Sequence, residues 1–102
     1  MGINMTQIYY QVKKIRELSA ELRDARSSLL PYQHSLNTHW KGIEMTPTNL
    51  AMEEYRNMLA AIAADLDGIG NDIIREAEAI RRAEELAAAQ AAAAAAAAAE
   101  KN

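Results

Sequence analysis

From Ile8 onward the apolar residues of this chain recur at Ile8, Val12, Ile15, Leu18, Leu22, Ala25, Leu29, Tyr32 and Leu36, in steps of three and four. That spacing lays one apolar stripe along one long helix. The alternation slips once, around Ile15 and Leu18, where two steps of three adjoin. Pro31 falls inside the stripe. It removes a backbone donor and crowds the Ser27 carbonyl, which predicts a kink or a local break near Ser28 to Leu30, the continuing stripe favouring a kink. A second stripe, Tyr55, Leu59, Ile62, Leu66, Ile69 and Ile73, alternates fours and threes without a slip, and Ile80, Ala83 and Ala87 keep its phase. Only Glu76 breaks it. The small residues Ala60, Ala61, Ala63 and Ala64 would let a partner helix come close, and Gly68 and Gly70 each weaken the helix by about 1 kcal/mol relative to Ala.

Between the stripes lies Asn37 to Pro47, which holds the only Trp of the chain. Thr46 can cap the second helix, Pro47 suits its first position, and Glu53 and Glu54 stand near its positive end. Gly42 can take the left-handed conformation that closes the first helix. A short connection then forces the helices antiparallel. The pattern predicts an all-α antiparallel helical hairpin: a first helix over about residues 5–40, a turn over about 41–46 and a second helix over about 47–86. Trp40 is expected in the last turn of the first helix, folded over the start of the second, so that Trp40→Ala should cost about 3 to 5 kcal/mol. Residues 87–102 form an Ala-rich tail. Ala is the best helix former, so the tail is expected to prolong the second helix.

A hairpin packed on one seam buries only a narrow strip on each helix, which predicts dimerisation into a four-helix bundle. Leu30, Met45, Met52, Met58 and Ile74 lie off the main stripes and are candidates for that second contact. The helix-packing residues are Ile8, Val12, Ile15, Leu18, Leu22, Leu29 and Leu36 on the first helix, with Tyr55, Leu59, Ile62, Leu66, Ile69, Ile73 and Ile80 on the second.

Composition narrows the chemistry. The 102 residues fit one domain, half of them apolar, with no Phe and no Cys, so disulfides, thiolate metal sites and Cys nucleophiles are excluded. A formal net charge of −3, with basic and acidic residues interleaved, describes solvated helix faces and gives no reason to bind nucleic acid. His34 and His39 are five residues apart and do not share a helix face, so no metal site is expected. The neighbouring carboxylates Glu53 and Glu54, and Glu84 and Glu85, face differently instead of converging on a substrate. Neither a phosphate loop nor a nucleophile motif is present, and no cofactor or small-molecule substrate is implied. The Ala run is too short to span a bilayer, and the first twenty residues lack the apolar core of a signal peptide. Gly2 and Thr6 match the start of an N-myristoylation pattern, but the same residues serve as the frayed entry to a helix.

A helix, a Trp-Lys-Gly turn at Trp40, Lys41 and Gly42, and a second helix within about a hundred residues make the chain similar to the WXG100 family, the ESAT-6-like small proteins of type VII (ESX or Yuk) secretion in Gram-positive bacteria. The likeness covers nearly the whole chain. It implies a protein that folds in the cytoplasm and is secreted without a signal peptide. It also implies pairing with itself or with a second WXG100-like protein, and contact with an FtsK/SpoIIIE-type ATPase or a larger secreted effector. An enzyme is not implied. Many members carry a C-terminal Tyr followed four residues later by Asp or Glu. Here Tyr9, Tyr10, Tyr32 and Tyr55 are followed at that offset by Lys13, Lys14, Leu36 and Leu59. Either a partner supplies the export signal, or the chain is an adaptor or chaperone, or the Ala tail replaces the signal. The rival expectation is a cytosolic coiled-coil adaptor or structural protein unrelated to secretion; a membrane-active amphipathic hairpin is a third.

Overall fold

The computed structural model of the protein describes residues 2–40, 42–43 and 45–100. Helix α1 spans Met5–His39. It begins where the Asn4 side chain accepts a hydrogen bond from the Gln7 amide at 3.1 Å, an N-cap that satisfies one of the free donors of the first turn. It runs through Pro31 without a break, so of the two expectations there the local break is absent. The helix stops where Trp40 turns extended while its amide still donates to the Leu36 carbonyl at 2.7 Å. Gly42 follows with a φ of 137°, a region that favours glycine. Helix α2 spans Met45–Glu100. It starts two residues earlier than Thr46 and Pro47 suggest, because the Met45 amide bonds Gly42 and the Thr46 amide bonds Ile43, tightening the entry. Thr46 therefore lies inside the helix and is not its cap. Pro47 keeps a first-turn place, where its missing donor costs nothing.

The helices pack antiparallel, and the rows in contact are not quite those the large residues mark. On α1 the row facing α2 runs through the buried and half-buried Ile8, Val12, Ile15, Ser19, Leu22, Leu29, Gln33 and Leu36, with Met5 and Asn37 half-buried beside it. With Ser19 in place of Leu18, fours and threes alternate from Ile8 to Leu22, and after a step of seven over the exposed Arg26 they resume from Leu29 through Gln33 to Leu36. On α2 the corresponding positions are Met45, Asn49, Met52, Arg56, Leu59, Ala63, Leu66, Gly70, Ile73 and Ala77. Leu18, Tyr55, Ile62 and Ile69 are thereby corrected: all four are exposed and stand beside the contact instead of in it. Ile80, in phase with the contact, is also exposed. The cause is the small residues. A Cβ on Gly70 would meet Val12 Cγ1 at 3.3 Å, whereas one on Gly68 would meet nothing. Val12, Ser19 and Ala63 are sealed from solvent because the backbones approach closely where Ser, Ala and Gly face one another. Met45 and Met52 are consumed by this contact and Ile74 is half-buried, which leaves Leu30 and Met58 exposed among the five off-stripe candidates.

The molecule measures 91 × 17 × 13 Å. At 1.5 Å per residue α1 is about 52 Å long and α2 about 84 Å. The Ile3 amide donates to Glu84 at 2.9 Å, the last cross-link of the hairpin. Beyond it α2 continues alone as an exposed helix to Glu100, so the Ala tail prolongs the helix over its described part.

Candidate interaction surface

The two edges of the helix contact differ in chemistry. Along one edge α1 presents Tyr9, Arg16, Arg23 and Asn37, related by multiples of seven residues. Each is tied to α2: Tyr9 Oη donates to Glu78 at 3.0 Å, Arg16 to Asn71 at 3.1 Å, Arg23 to Asp67 at 2.7 Å, and Asn37 and Asn49 exchange amide bonds at 2.8 and 2.9 Å. The Glu78 carboxylate beside Tyr9 holds its phenol above the ordinary value of 10.0. Arg23 also donates to Ser19 Oγ at 2.6 Å, and Ser19 Oγ donates to the Ala63 carbonyl at 3.1 Å. The buried hydroxyl is thus satisfied in both roles, which is what permits a polar group in a sealed contact. The hydrogen bond from Arg23 holds Asp67 below its ordinary value near 3.8. This edge is internally complete.

Along the other edge no described link joins the two rows that follow. α1 presents Gln11, Leu18, Ala25 and Tyr32, and α2 presents Tyr55, Ile62, Ile69 and Glu76, each row again spaced by sevens. Met58, three residues after Tyr55 and four before Ile62, borders the second row. All are exposed. Among the described residues the Tyr55 hydroxyl and the Glu76 carboxylate have no partner. Five large apolar side chains and an exposed Met along about 30 Å of helix form a continuous strip, and a strip of that kind marks a docking surface. The sequence-predicted packing residues are therefore brought together as two sets. Ile8, Val12, Ile15, Leu22, Leu29, Leu36, Leu59, Leu66 and Ile73 hold the hairpin, and Leu18, Tyr55, Ile62 and Ile69 line its open edge.

At the turn, Trp40 is 62% exposed and Ile43 is 88% exposed. The expectation that Trp40 folds over α2 is overturned, because the residue sits past the end of α1 on extended backbone that carries its ring away from the contact. Lys41 lies outside the described residues. Nearby, Leu30, Gln33, His34 and Asn37 line an open groove of about 370 Å³. Gln33 donates to Asn49 at 2.9 Å while its Oε1, like Arg56 Nε, is buried without a hydrogen bond. Sequence reasoning missed Ser19, Gln33, Asn37, Asn49 and Arg56, polar members of the contact; the signal for Ser19 was phase, since it restores the alternation that Leu18 breaks.

Among the described residues no group of three or more His, Cys, Asp or Glu is placed to hold a metal, and no helix is long and apolar enough to cross a membrane. Comparison of the chain with protein-family models, with curated proteins and with solved structures finds no match. The class defined by the fold is an all-α protein of two long helices with one edge closed by polar bonds and one left apolar.

Proposed function

We propose that this chain is a helix-pairing protein of the WXG100 type, a secreted protein or export partner of a type VII secretion system, and that its open edge docks a second hairpin to complete a four-helix bundle. The observation that carries the reading is the asymmetry of the two edges. Leu18, Tyr32, Tyr55, Met58, Ile62 and Ile69 stay half exposed although the opposite edge is tied by four polar links. Covering each of the six would contribute on the order of 1 kcal/mol, enough together to hold a partner. The turn supports the type: the first helix ends at His39, Trp40 stands exposed, and Gly42 has a positive φ. No Tyr here is followed at four by Asp or Glu, so in this reading the export signal comes from a partner of different sequence or from the Ala-rich tail.

The test follows tagged protein in its native host, in supernatant and lysate, with and without the nearest FtsK/SpoIIIE-type ATPase gene. ATPase-dependent export, lost in Ile62→Glu, is the expected result. Retention inside the cell in every strain would instead favour the second reading, a cytosolic coiled-coil adaptor, which the missing export signal supports.

A further inference from the structure

We infer that the layer formed by Arg26 of α1 and Arg56 of α2 is a binding site for a small oxyanion of the hydrogen phosphate class. Two like charges stand level there inside the helix contact, beside two buried polar atoms that no described residue satisfies. The site does not depend on what docks at the open edge.

Val12, Ser19, Arg26 and Gln33 stand seven apart on α1, and Gly70, Ala63, Arg56 and Asn49 stand seven apart on α2. Three of these four layers are made directly. A Cβ on Gly70 would touch Val12, Ser19 Oγ donates to the Ala63 carbonyl at 3.1 Å, and Gln33 donates to Asn49 at 2.9 Å. The register fixed by these three sets Arg26 level with Arg56. Two guanidinium groups repel each other at that place, and arginine does not deprotonate to relieve it. Of the four α1 residues only Arg26 is exposed, whereas Arg56 stays half-buried with its Nε sealed from solvent and without an acceptor. Asp24, Glu53 and Glu54 are near in sequence, yet among the described residues no carboxylate pairs with either arginine.

Gln33 Oε1 is the other buried atom without a hydrogen bond. Helical side chains lean toward the N-terminus of their own helix. In an antiparallel pair, Gln33 therefore leans toward the arginine layer and Arg56 toward the Gln33 layer. The orphan acceptor and the orphan donor enter the same interval of the contact. An occupant of that interval has to accept from Arg56, offset two positive charges and donate to Gln33. A water molecule does the first and the last but leaves the charges facing each other. A sulfate or a carboxylate offsets charge but has nothing to donate. Hydrogen phosphate does all three, since its oxygens fit the guanidinium fork and its remaining proton reaches an amide oxygen. The groove of about 370 Å³ lined by Leu30, Gln33, His34 and Asn37 gives the ion its route from solvent.

Inorganic phosphate is the probe, titrated into the full chain against sodium chloride of equal ionic strength. The Arg56 Nε–H resonance should shift saturably, and at about a hundred times the dissociation constant the folding equilibrium should move about a hundred-fold toward the native state. Arg26→Gln should stabilise the phosphate-free chain by removing the repulsion and should lose most of the phosphate response. Arg56→Lys, which keeps the charge and the helix but not the fork, should bind phosphate at least about ten-fold more weakly. Equal responses of the unaltered chain and both variants would reveal a general salt effect and overturn the site. An Arg56 resonance that ignores phosphate at every concentration would also overturn it, showing that water or Gln33 already satisfies the group. Sulfate should bind more weakly than phosphate, and equal binding would overturn the part assigned to Gln33. Ile62→Glu, on the open edge, should leave the phosphate response unchanged; its loss there would overturn the placement of the site.

Discussion

The two edges of this hairpin are built on the same two helices from rows of the same spacing, yet one is closed and the other open. On the closed edge Tyr9, Arg16, Arg23 and Asn37 of α1, in a row spaced by sevens that only Leu30 leaves unlinked, each find a partner on α2. On the open edge the corresponding rows are mostly Leu, Ala, Tyr and Ile, and no described residue covers them. The difference separates two tasks. Directional bonds fix how the two helices slide against each other, because each is satisfied in only one register. Apolar area attracts a partner without specifying direction. A hairpin that placed its apolar area on both edges would have no internal register; one tied on both would have nothing to offer.

The sharpest way to break the comparison is to make the same deletion on either side of the contact. Leu59 is buried between the helices, so Leu59→Ala should cost about 2 to 5 kcal/mol in chemical denaturation. Ile62→Ala, three residues on and exposed, should cost no more than about 1 kcal/mol at concentrations where the chain is a single hairpin. Equal losses would mean that the open edge is packed in solution.

The glycines provide a finer contrast. Gly68 faces open space, so Gly68→Ala should stabilise α2 by roughly 0.5 to 1 kcal/mol through helix propensity. Gly70→Ala must push against Val12 and should gain less than Gly68→Ala or lose stability, a difference that paired thermal melts would resolve. Smaller still is Trp40→Ala. With the ring mostly in solvent, it should cost at most about 1 kcal/mol, well under the loss a hinge plug would show.

The smallest expected effect belongs to the closed edge. Asp67 titrates below its ordinary value in the folded chain, so the Arg23 pair contributes above the unfolded pKa and is lost as pH falls through the lowered one. Asp67→Asn should flatten that acid limb of the stability profile and leave neutral stability nearly unchanged, since the pair is half exposed. An unaltered acid limb would show that the pair does not hold in solution.

Two long helices and the place where the chain turns were legible in the sequence, because a run of fours and threes matches the helical period and not the alternation of a strand, and Gly42 and Pro47 punctuate it. What the sequence hid was which of two adjacent rows makes the contact. Large residues draw the eye to Leu18, Tyr55, Ile62 and Ile69, while the helices meet over Ser19, Ala63, Gly70 and Ala77, where the gain comes from closeness and not from side-chain volume. The run of Ala60, Ala61, Ala63 and Ala64 was the available clue to close approach, and phase alone could have singled out Ala63. Trp40 misled for a related reason. A lone Trp suggests a core anchor, but its place one residue past the last helical turn directs it to solvent.

The unequal lengths of the two helices carry a thermal consequence. Past Glu84 the described part of the second helix is held by its own backbone bonds and the exposed Arg81–Glu85 pair, over a stretch near the length at which isolated helices are marginal in water. Its helix–coil equilibrium is local and gradual, whereas the paired region loses structure cooperatively. Circular dichroism should therefore show a sloping loss of ellipticity well below the main transition, and the hydrodynamic length should shorten over the same range. The rod is one whose effective reach contracts on warming before its fold gives way.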